Sequence, residues 1–248
     1  MLDKVNIAVV GATGAVGEVM LEILADRKVP AANVFPLASE RSLGKQVSFG
    51  NSTIDVDDLA TFDFSKVQIG LFSAGASVSE VYAHKAVAAG CVVIDNTSQF
   101  RYQENIPLVI SEVNPERIAD HVNTGIIANP NCSTMQMLVV LAPLHEKYKI
   151  KRLVISTYQS VSGTGKNAID QLEGERNDVN SSKVYPYSID QNLLPHCDVF
   201  EKDGYTKEEN KLINETRKIL NDNSIQITST AVRVPIEICH GESVNIEF

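Results

Sequence analysis

A cysteine that follows a strand-breaking Asn-Pro-Asn and begins a new element is better placed for chemistry than for packing. In Asn129-Pro-Asn-Cys132-Ser-Thr-Met-Gln136 the proline and asparagines end one element and put Cys132 in the first turn of a helix. There, amide groups without helical partners and the helix dipole favour the thiolate, the reactive form of the side chain. Cys91, Cys197 and Cys239 are read instead as small buried hydrophobes, the commoner fate of a thiol. The four cysteines form no CxxC pair, so neither a metal site nor a disulfide framework is expected, and a reducing cytoplasm suits the chain best.

A second chemical signal lies near the start. Gly11-Ala-Thr-Gly14-Ala-Val-Gly17 follows an apolar run and opens an amphipathic stretch. The glycines would let backbone approach a pyrophosphate, whose charge meets the N–H groups at the helix N-terminus. The bland alternative is a tight turn with close helix–sheet packing. The end of the next strand favours the first reading. An NAD site usually places a carboxylate there for the ribose hydroxyls. Here Ser39-Glu-Arg-Ser-Leu-Gly-Lys45 offers Arg41 with the hydroxyls of Ser39 and Ser42 for a 2′-phosphate, provided Glu40 points away. NADP is therefore expected over NAD.

The elements that must position these groups can be read from periodicity. Val5–Val10 reads as a strand, Glu18–Arg27 as a helix, Asn33–Ala38 as a strand, Gln68–Phe72 as a strand, Val78–Ala89 as a helix, Cys91–Ile94 as a strand and Gly125–Ala128 as a last buried strand. Such alternation predicts a parallel sheet covered by helices. After Asn131 the texture changes. A long helix over Ser133–Tyr148 and a β-branched strand over Lys151–Tyr158 precede a polar stretch at Asn177–Lys183 and a Pro-containing excursion to Asp203. A charged amphipathic helix at Lys207–Leu220 and strands at Ile225–Thr228 and Val244–Phe248 predict a second, mixed sheet. The domains are drawn as 1–131 and 132–248, for nucleotide binding and for catalysis with dimerisation.

The segment around Cys132 resembles the active-site motif of the aspartate-semialdehyde dehydrogenases. The likeness runs on through Ser73-Ala-Gly-Ala, Asp95-Asn-Thr-Ser-Gln-Phe-Arg101, Gln159-Ser-Val-Ser-Gly-Thr-Gly165, Glu208-Glu-Asn-Lys211 and Arg233-Val-Pro…His240, in the family's order. It implies a Rossmann-like, doubly wound parallel sheet plus an α+β catalytic and dimerisation domain. The implied reaction is NADPH-dependent reductive dephosphorylation of L-aspartyl-4-phosphate to L-aspartate 4-semialdehyde, in lysine/diaminopimelate, threonine and methionine biosynthesis. By the same resemblance Cys132 is the nucleophile, His240 the general acid/base and Gln159 the residue that orients the acyl intermediate. Arg233 would clamp the substrate carboxylate and Glu208 its amino group, while Arg101 and Lys211, assisted by Asn131, would hold phosphate. The cofactor would touch Gly11, Ala12, Thr13, Gly14, Ala15, Val16, Ser39, Arg41, Ser42, Ser73, Ala74, Gly75, Ser162 and Gly163. His84, His121, His145 and His196 are read as structural, and the other charges of Lys207–Lys218 as a solvated face.

Composition bounds the alternatives. With 44% hydrophobic and 21% charged residues over 248 positions the chain is an ordinary soluble protein of one large or two modest domains. Its net charge of −9 argues against a nucleic-acid partner. No apolar run reaches the roughly 20 residues that cross a bilayer, and no secretory leader is expected. Two departures from the family stand out. Gly241-Glu-Ser-Val replaces the small-residue-plus-acid pattern expected after His240, which would disturb that residue's placement. Ser243–Phe248 reads as a strand without the return helix of the family, so the chain is taken as incomplete at its C-terminus, poorly stable and weakly active alone, with a homodimer expected of the intact enzyme. The rivals are an N-acetyl-glutamyl-phosphate reductase, opposed by Ser-Thr-Met-Gln after the cysteine and by Glu208, and a non-catalytic NADP-binding remnant.

Overall fold

The computed structural model of the protein describes residues 4–179, 181 and 183–248. Asn180 and Ser182, within the polar stretch read over Asn177–Lys183, lie outside the described residues. The chain divides into two compact units, Met1–Pro130 and Asn131–Phe248.

In the first unit, β1 (Ile7–Val10) leads through the glycine turn into α1 (Ala15–Asp26), and β2 (Val34–Ala38) follows. Next come the hairpin β3 (Gln46–Phe49) and β4 (Ser52–Asp55), the short β5 (Asp57–Asp58), β6 (Ile69–Phe72), α2 (Ala76–Ala88), β7 (Val92–Asp95) and β8 (Ile126–Ala128). Six strands form one sheet in the order β5-β2-β1-β6-β7-β8, with every neighbouring pair parallel. The order reverses between β1 and β6, the position where open α/β sheets place a ligand crevice beyond the carboxyl ends of their strands. The core is built from strand residues such as Ile7 and Val9 packed with Leu21 and Leu24 of α1. Burying one such side chain contributes about 1.5–3 kcal/mol, so the face of α1 that carries them fixes the helix on the sheet. The hairpin was not legible in the sequence, because its two strands have four residues each and few apolar positions.

In the second unit, α3 (Cys132–Tyr148) precedes β9 (Arg152–Gln159), α4 (Lys166–Arg176), α5 (Lys207–Leu220), β10 (Gln226–Arg233) and β11 (His240–Glu247). The sheet order is β10-β9-β11, with β10 parallel and β11 antiparallel to β9. A mixed sheet is thus present. Its outer strands are longer than the sequence reading gave: β10 runs on to Arg233 and β11 starts back at His240. Pairing with the full length of β9 extends both, and this carries the two residues onto the sheet.

Helix α4 was also unassigned in the sequence. Its buried Ala168 and Leu172 pack in a small apolar cluster with Val161, Tyr185, Ile189 and Leu194, and the rest of the segment after the helix is largely polar. That segment is held by side-chain bonds rather than apolar packing alone. Gln171 Oε1 accepts the amides of Val184 and Tyr185, and Glu175 Oε2 accepts those of Ile189 and Asp190 together with the Ser188 hydroxyl. Helix α5 begins with a reciprocal capping box between Thr206 and Glu209, which satisfies two otherwise orphaned donors.

Candidate active site

The turn between β1 and α1 is shaped as a backbone cradle. Gly11 has φ +89°, and a Cβ there would lie 2.9 Å from the amide nitrogen of Ala74 and 3.0 Å from the carbonyl carbon of Ser73. A Cβ on Gly17 would fall 2.2 Å from the carbonyl oxygen of Gly11. Only glycines allow α1 and the turn after β6 to close on the turn after β1. The Ser73 amide and hydroxyl both donate to the Val10 carbonyl, at 2.9 and 3.2 Å. Gly14 caps α1 without a side-chain bond, leaving first-turn amides to meet an anion. Thr13 Oγ1 lies 3.5 Å from Ser42 Oγ, so the glycine turn and the turn over Glu40–Ser42 adjoin. Ser39, Glu40 and Arg41 are exposed there. Ala12 completes the turn, Ala15 and Val16 open α1, and Gly75 caps α2 with φ +98°. These residues fit a dinucleotide.

Arg101 lies in the loop after β7 and is 6% exposed. Its guanidinium donates to the carbonyls of Thr97 and Asn96 at 2.9 Å each. Asp95 holds that loop by accepting from Ser79 Oγ, the Thr97 amide and Thr97 Oγ1. Burial raises the Asp95 pKa against the lowering effect of these bonds and of Arg101.

The second unit gathers most of the candidate residues. Asn131, read from the sequence as closing the first domain, belongs here because it is the N-cap of α3. Its Oδ1 accepts the amides of Ser133 and Thr134 at 3.0 and 3.3 Å. Its own amide donates to Glu215 Oε2 at 2.6 Å, and its Nδ2 donates to Glu208 Oε1 at 2.8 Å. Two residues of α5 thereby fix the start of α3, where Cys132 is the first helical residue and exposed.

One rung of the mixed sheet carries three of the others. Gln159 pairs in register with Arg233 on β10 and with His240 on β11. Gln159 is 1% exposed, and its Nε2 donates to Ser133 Oγ at 3.3 Å and to Glu208 Oε1 at 3.2 Å. Arg233 is buried, and its Nη1 donates to the Ser160 carbonyl at 2.7 Å. Its Nε is buried without a hydrogen-bond partner, and no carboxylate among the described residues forms an ion pair with it. His240 Nδ1 accepts the Ser160 amide at 3.0 Å and lies 3.2 Å from the Ser160 hydroxyl. Acceptance at Nδ1 leaves the proton of the neutral ring on Nε2. Burial, supported by the positive charge of Arg233, holds the imidazole below its ordinary pKa.

Ser162 Oγ lies 2.9 Å from Ser160 Oγ. A Cβ on Gly163 would meet Arg233 Nη1 at 2.9 Å and the His240 ring at 3.2 Å, so this glycine leaves room for both side chains.

Charge balance beside Gln159 comes from a partly buried cluster in which Glu208 is buried and Asp198 exposed. Lys211 Nζ bonds Glu208 Oε2 at 2.9 Å and Asp198 Oδ2 at 3.0 Å. Burial alone would raise the Glu208 carboxyl, but Lys211 and the bonds from Asn131 and Gln159 bring it below its ordinary value. Burial likewise opposes the Lys211 charge, and Glu208 and Asp198 overcome it to hold the ammonium above its usual range. The two shifts agree: the pair is ionised on both sides.

Several functional partners were not read from the sequence. Ser160 acts through its main chain on both Arg233 and His240, which residue type cannot reveal. Glu215 stands seven positions after Glu208 on α5, and that helical spacing could have picked it out from the solvated charges. Asp198 has no sequence signal. Cys239, read as buried, is exposed at φ +77° in the turn before β11, where it has no core to enter. The expected disturbance after His240 does not appear. Gly241-Glu242 is itself a small residue and an acid, and Glu242 bonds Gln136 of α3 at 2.8 Å. Cys91 and Cys197 are buried, and burial raises both thiols to about 11. His145 is buried, accepting from the Ile150 amide at Nδ1 and lying 3.5 Å from Asp222 at Nε2. Among the described residues no metal-binding cluster is present, and no helix is long and apolar enough to cross a membrane.

Known proteins resemble this chain in sequence and fold. A model of the semialdehyde dehydrogenase NAD-binding domain matches residues 6–121, and one of the semialdehyde dehydrogenase dimerisation domain matches residues 141–248. An aspartate-semialdehyde dehydrogenase of Legionella pneumophila is 53% identical over all of this chain and 73% of the relative's length. The crystal structure of aspartate semialdehyde dehydrogenase II from Vibrio cholerae, complexed with ASA, superposes with a TM-score of 0.94 at 50% identity. That likeness covers 98% of this chain and 74% of the other. The enzyme of Candida albicans, solved with NADP, gives 0.73 at 26% identity, covering 98% and 71%. With a glycine cradle at the switch point, a capped cysteine and an Arg–Gln–His rung all lying within matched sequence, the chain belongs to the aspartate-semialdehyde dehydrogenase family.

Proposed function

We propose that this chain catalyses the reversible, NADPH-dependent reductive dephosphorylation of L-aspartyl-4-phosphate to L-aspartate 4-semialdehyde, with Cys132 as nucleophile. The observation that carries the reading is the rung Arg233–Gln159–His240, with Gln159 hydrogen-bonded to Ser133 in the first turn of the Cys132 helix. Cys132 opens α3, where the helix dipole favours a thiolate. Its sulfur attacks the acyl carbon, the bond to the phosphate oxygen breaks, and a thioester and inorganic phosphate result. Reduced nicotinamide, when bound, supplies the hydride for the thioester.

His240 is neutral at physiological pH because burial opposes its charge. It donates a proton to the thiohemiacetal oxygen and takes one back as the carbon–sulfur bond breaks, which frees the aldehyde and restores the thiolate. Gln159, locked by Ser133 and Glu208, orients the acyl group. Arg233 has a buried guanidinium with donor capacity to spare, suited to a bidentate grip on the substrate carboxylate. Glu208 receives the amino group, and Lys211 and Arg101 take phosphate with Asn131 assisting.

The cofactor is held by Gly11, Ala12, Thr13, Gly14, Ala15 and Val16, by Ser73, Ala74 and Gly75, and by Ser162 and Gly163. The 2′-phosphate rests on Ser39, Arg41 and Ser42, a preference supported by the NADP found with the Candida albicans relative. The match to a dimerisation domain supports a homodimer, and reduced cysteines support a cytoplasmic setting. We assign the domain roles accordingly, the first unit to nucleotide binding and the second to catalysis and dimerisation.

The test supplies aspartate semialdehyde, NADP and phosphate and follows NADPH formation. Cys132→Ser is expected to lower kcat by about 10³-fold or more, as loss of an activated nucleophile does. Undiminished turnover by that variant would overturn the reading.

A further inference from the structure

We propose that Glu242 is a positioning residue for this reaction, fixing the His240 strand against the first turns of the Cys132 helix; this rests on the function proposed above. Along β11 the residues at 240, 242, 244 and 246 are partly buried and those between them are exposed, so Glu242 shares a face with His240. Across the sheet Glu242 is in register with Thr157 of β9.

The Glu242 carboxylate accepts from Gln136 Nε2 at 2.8 Å, and the same nitrogen donates to the His240 carbonyl at 3.3 Å. Gln136 lies on α3, one helical turn beyond Cys132. Ser133, next to Cys132 on the same helix, accepts from Gln159 through its hydroxyl oxygen. Gln136 therefore ties the nucleophile's helix to the strand of the acid/base through the Glu242 carboxylate and the His240 carbonyl, while in the first turn of that helix Ser133 joins the chain Gln159–Glu208–Lys211. No ion pair holds Glu242 among the described residues, and neither Gln136, Ser133 nor Thr157 carries charge. The only titratable side chain beside it on its own strand face is His240. A carboxylate half-buried without a cation is costly to keep, and the bond to Gln136, which links α3 to β11, offsets that cost only in part.

The experiment compares Glu242→Ala and Glu242→Gln with the parent and with Cys132→Ser. Glutamine keeps an acceptor for Gln136, whereas alanine keeps none. Misplacement of a reacting group by an ångström costs up to about 100-fold. Glu242→Ala is therefore expected to lower kcat about 10- to 100-fold with KM for semialdehyde and phosphate changed less than about threefold. Glu242→Gln is expected to recover most of that loss. A second arm needs no turnover: alkylation of Cys132 by iodoacetamide, followed by mass spectrometry, should change in rate by about threefold or more in Glu242→Ala and stay near the parent in Glu242→Gln. Parent-like kcat and alkylation in Glu242→Ala would overturn the inference, as would a loss shared in full by Glu242→Gln. Turnover surviving Cys132→Ser would instead defeat the proposed chemistry, while the alkylation arm would still decide the role of Glu242.

Discussion

Burial raises the Glu242 carboxyl to about 7, against the lowering effect of its bond from Gln136 and of the nearby Ser133 hydroxyl. That shift is also a statement about stability. The folded state binds this proton more tightly than the unfolded chain, so the residue imposes no penalty below the ordinary value of 4.5. The penalty grows as pH rises toward about 7 and is complete above it. His240, whose pKa is lowered by burial, tilts stability the other way over part of the same range, so the parent's profile mixes the two. The difference between Glu242→Gln and the parent isolates the carboxyl. The melting temperature of the variant should gain on the parent from pH 5 to pH 8, and parallel profiles would contradict the shift. Residue type alone could point to Cys132, because proline and asparagine around it break the preceding strand. It could not point to Gln159 as a buried group, since a glutamine at a strand end has no apolar pattern to mark it. Nor could it show the work of Ser160, which is done by an amide and a carbonyl that every residue possesses.

Elements were legible where apolar runs were bounded by glycine or proline. Strands β1, β2, β6 and β7 and helices α1 and α2 follow from such runs within a few residues at each end. The β3–β4 hairpin and α4 did not, because short or polar elements draw their order from tertiary partners. In α4 these are the side chains of Gln171 and Glu175, which take up the amides of the following segment. The ends of β10 and β11 were missed for a related reason. Polar residues at 229–230 and 242–243 interrupt the apolar signal, while ladder pairing to β9 continues past them. The glycine with least room for a side chain among those described is Gly17, where α1 rests on the carbonyl of Gly11. Gly17→Ala must push the helix off the turn, since the obstacle 2.2 Å away is backbone and cannot swing aside. A loss of about 1–3 kcal/mol or more is expected from such overpacking, read as a lower urea midpoint at unchanged slope. Weaker binding of NADPH should accompany it. Parent-like stability would mean that the cradle has more slack than its geometry implies.

The molecule as a whole is acidic, with a net charge of −9, yet the proposed ligands are anions. Recognition must then come from local cations working against the general field, as Lys211 does inside its carboxylate cluster and Arg233 does without one. At the nucleotide end the relevant cation is Arg41, which is exposed. Its attraction for a 2′-phosphate is accordingly screened by salt over a Debye length of about 8 Å at physiological ionic strength. Binding to the folded state alone raises stability by RT ln(1 + [L]/Kd), which turns cofactor preference into a difference of melting temperatures. At equal saturating concentrations NADPH should raise the melting temperature more than NADH does, by an amount that for a tenfold difference in Kd corresponds to about 1.4 kcal/mol. Arg41→Ala should narrow that gap by weakening NADPH while leaving NADH little changed, and added salt should narrow it in the parent by the same route. The NAD alternative requires a carboxylate on the ribose, for which Glu40 in the same turn is the available group. Under that alternative Glu40→Ala would weaken NADH, and the parent would show equal shifts with the two cofactors. Equal shifts in the parent at low salt would therefore remove the 2′-phosphate from this turn and leave the glycine cradle as a site for the pyrophosphate alone.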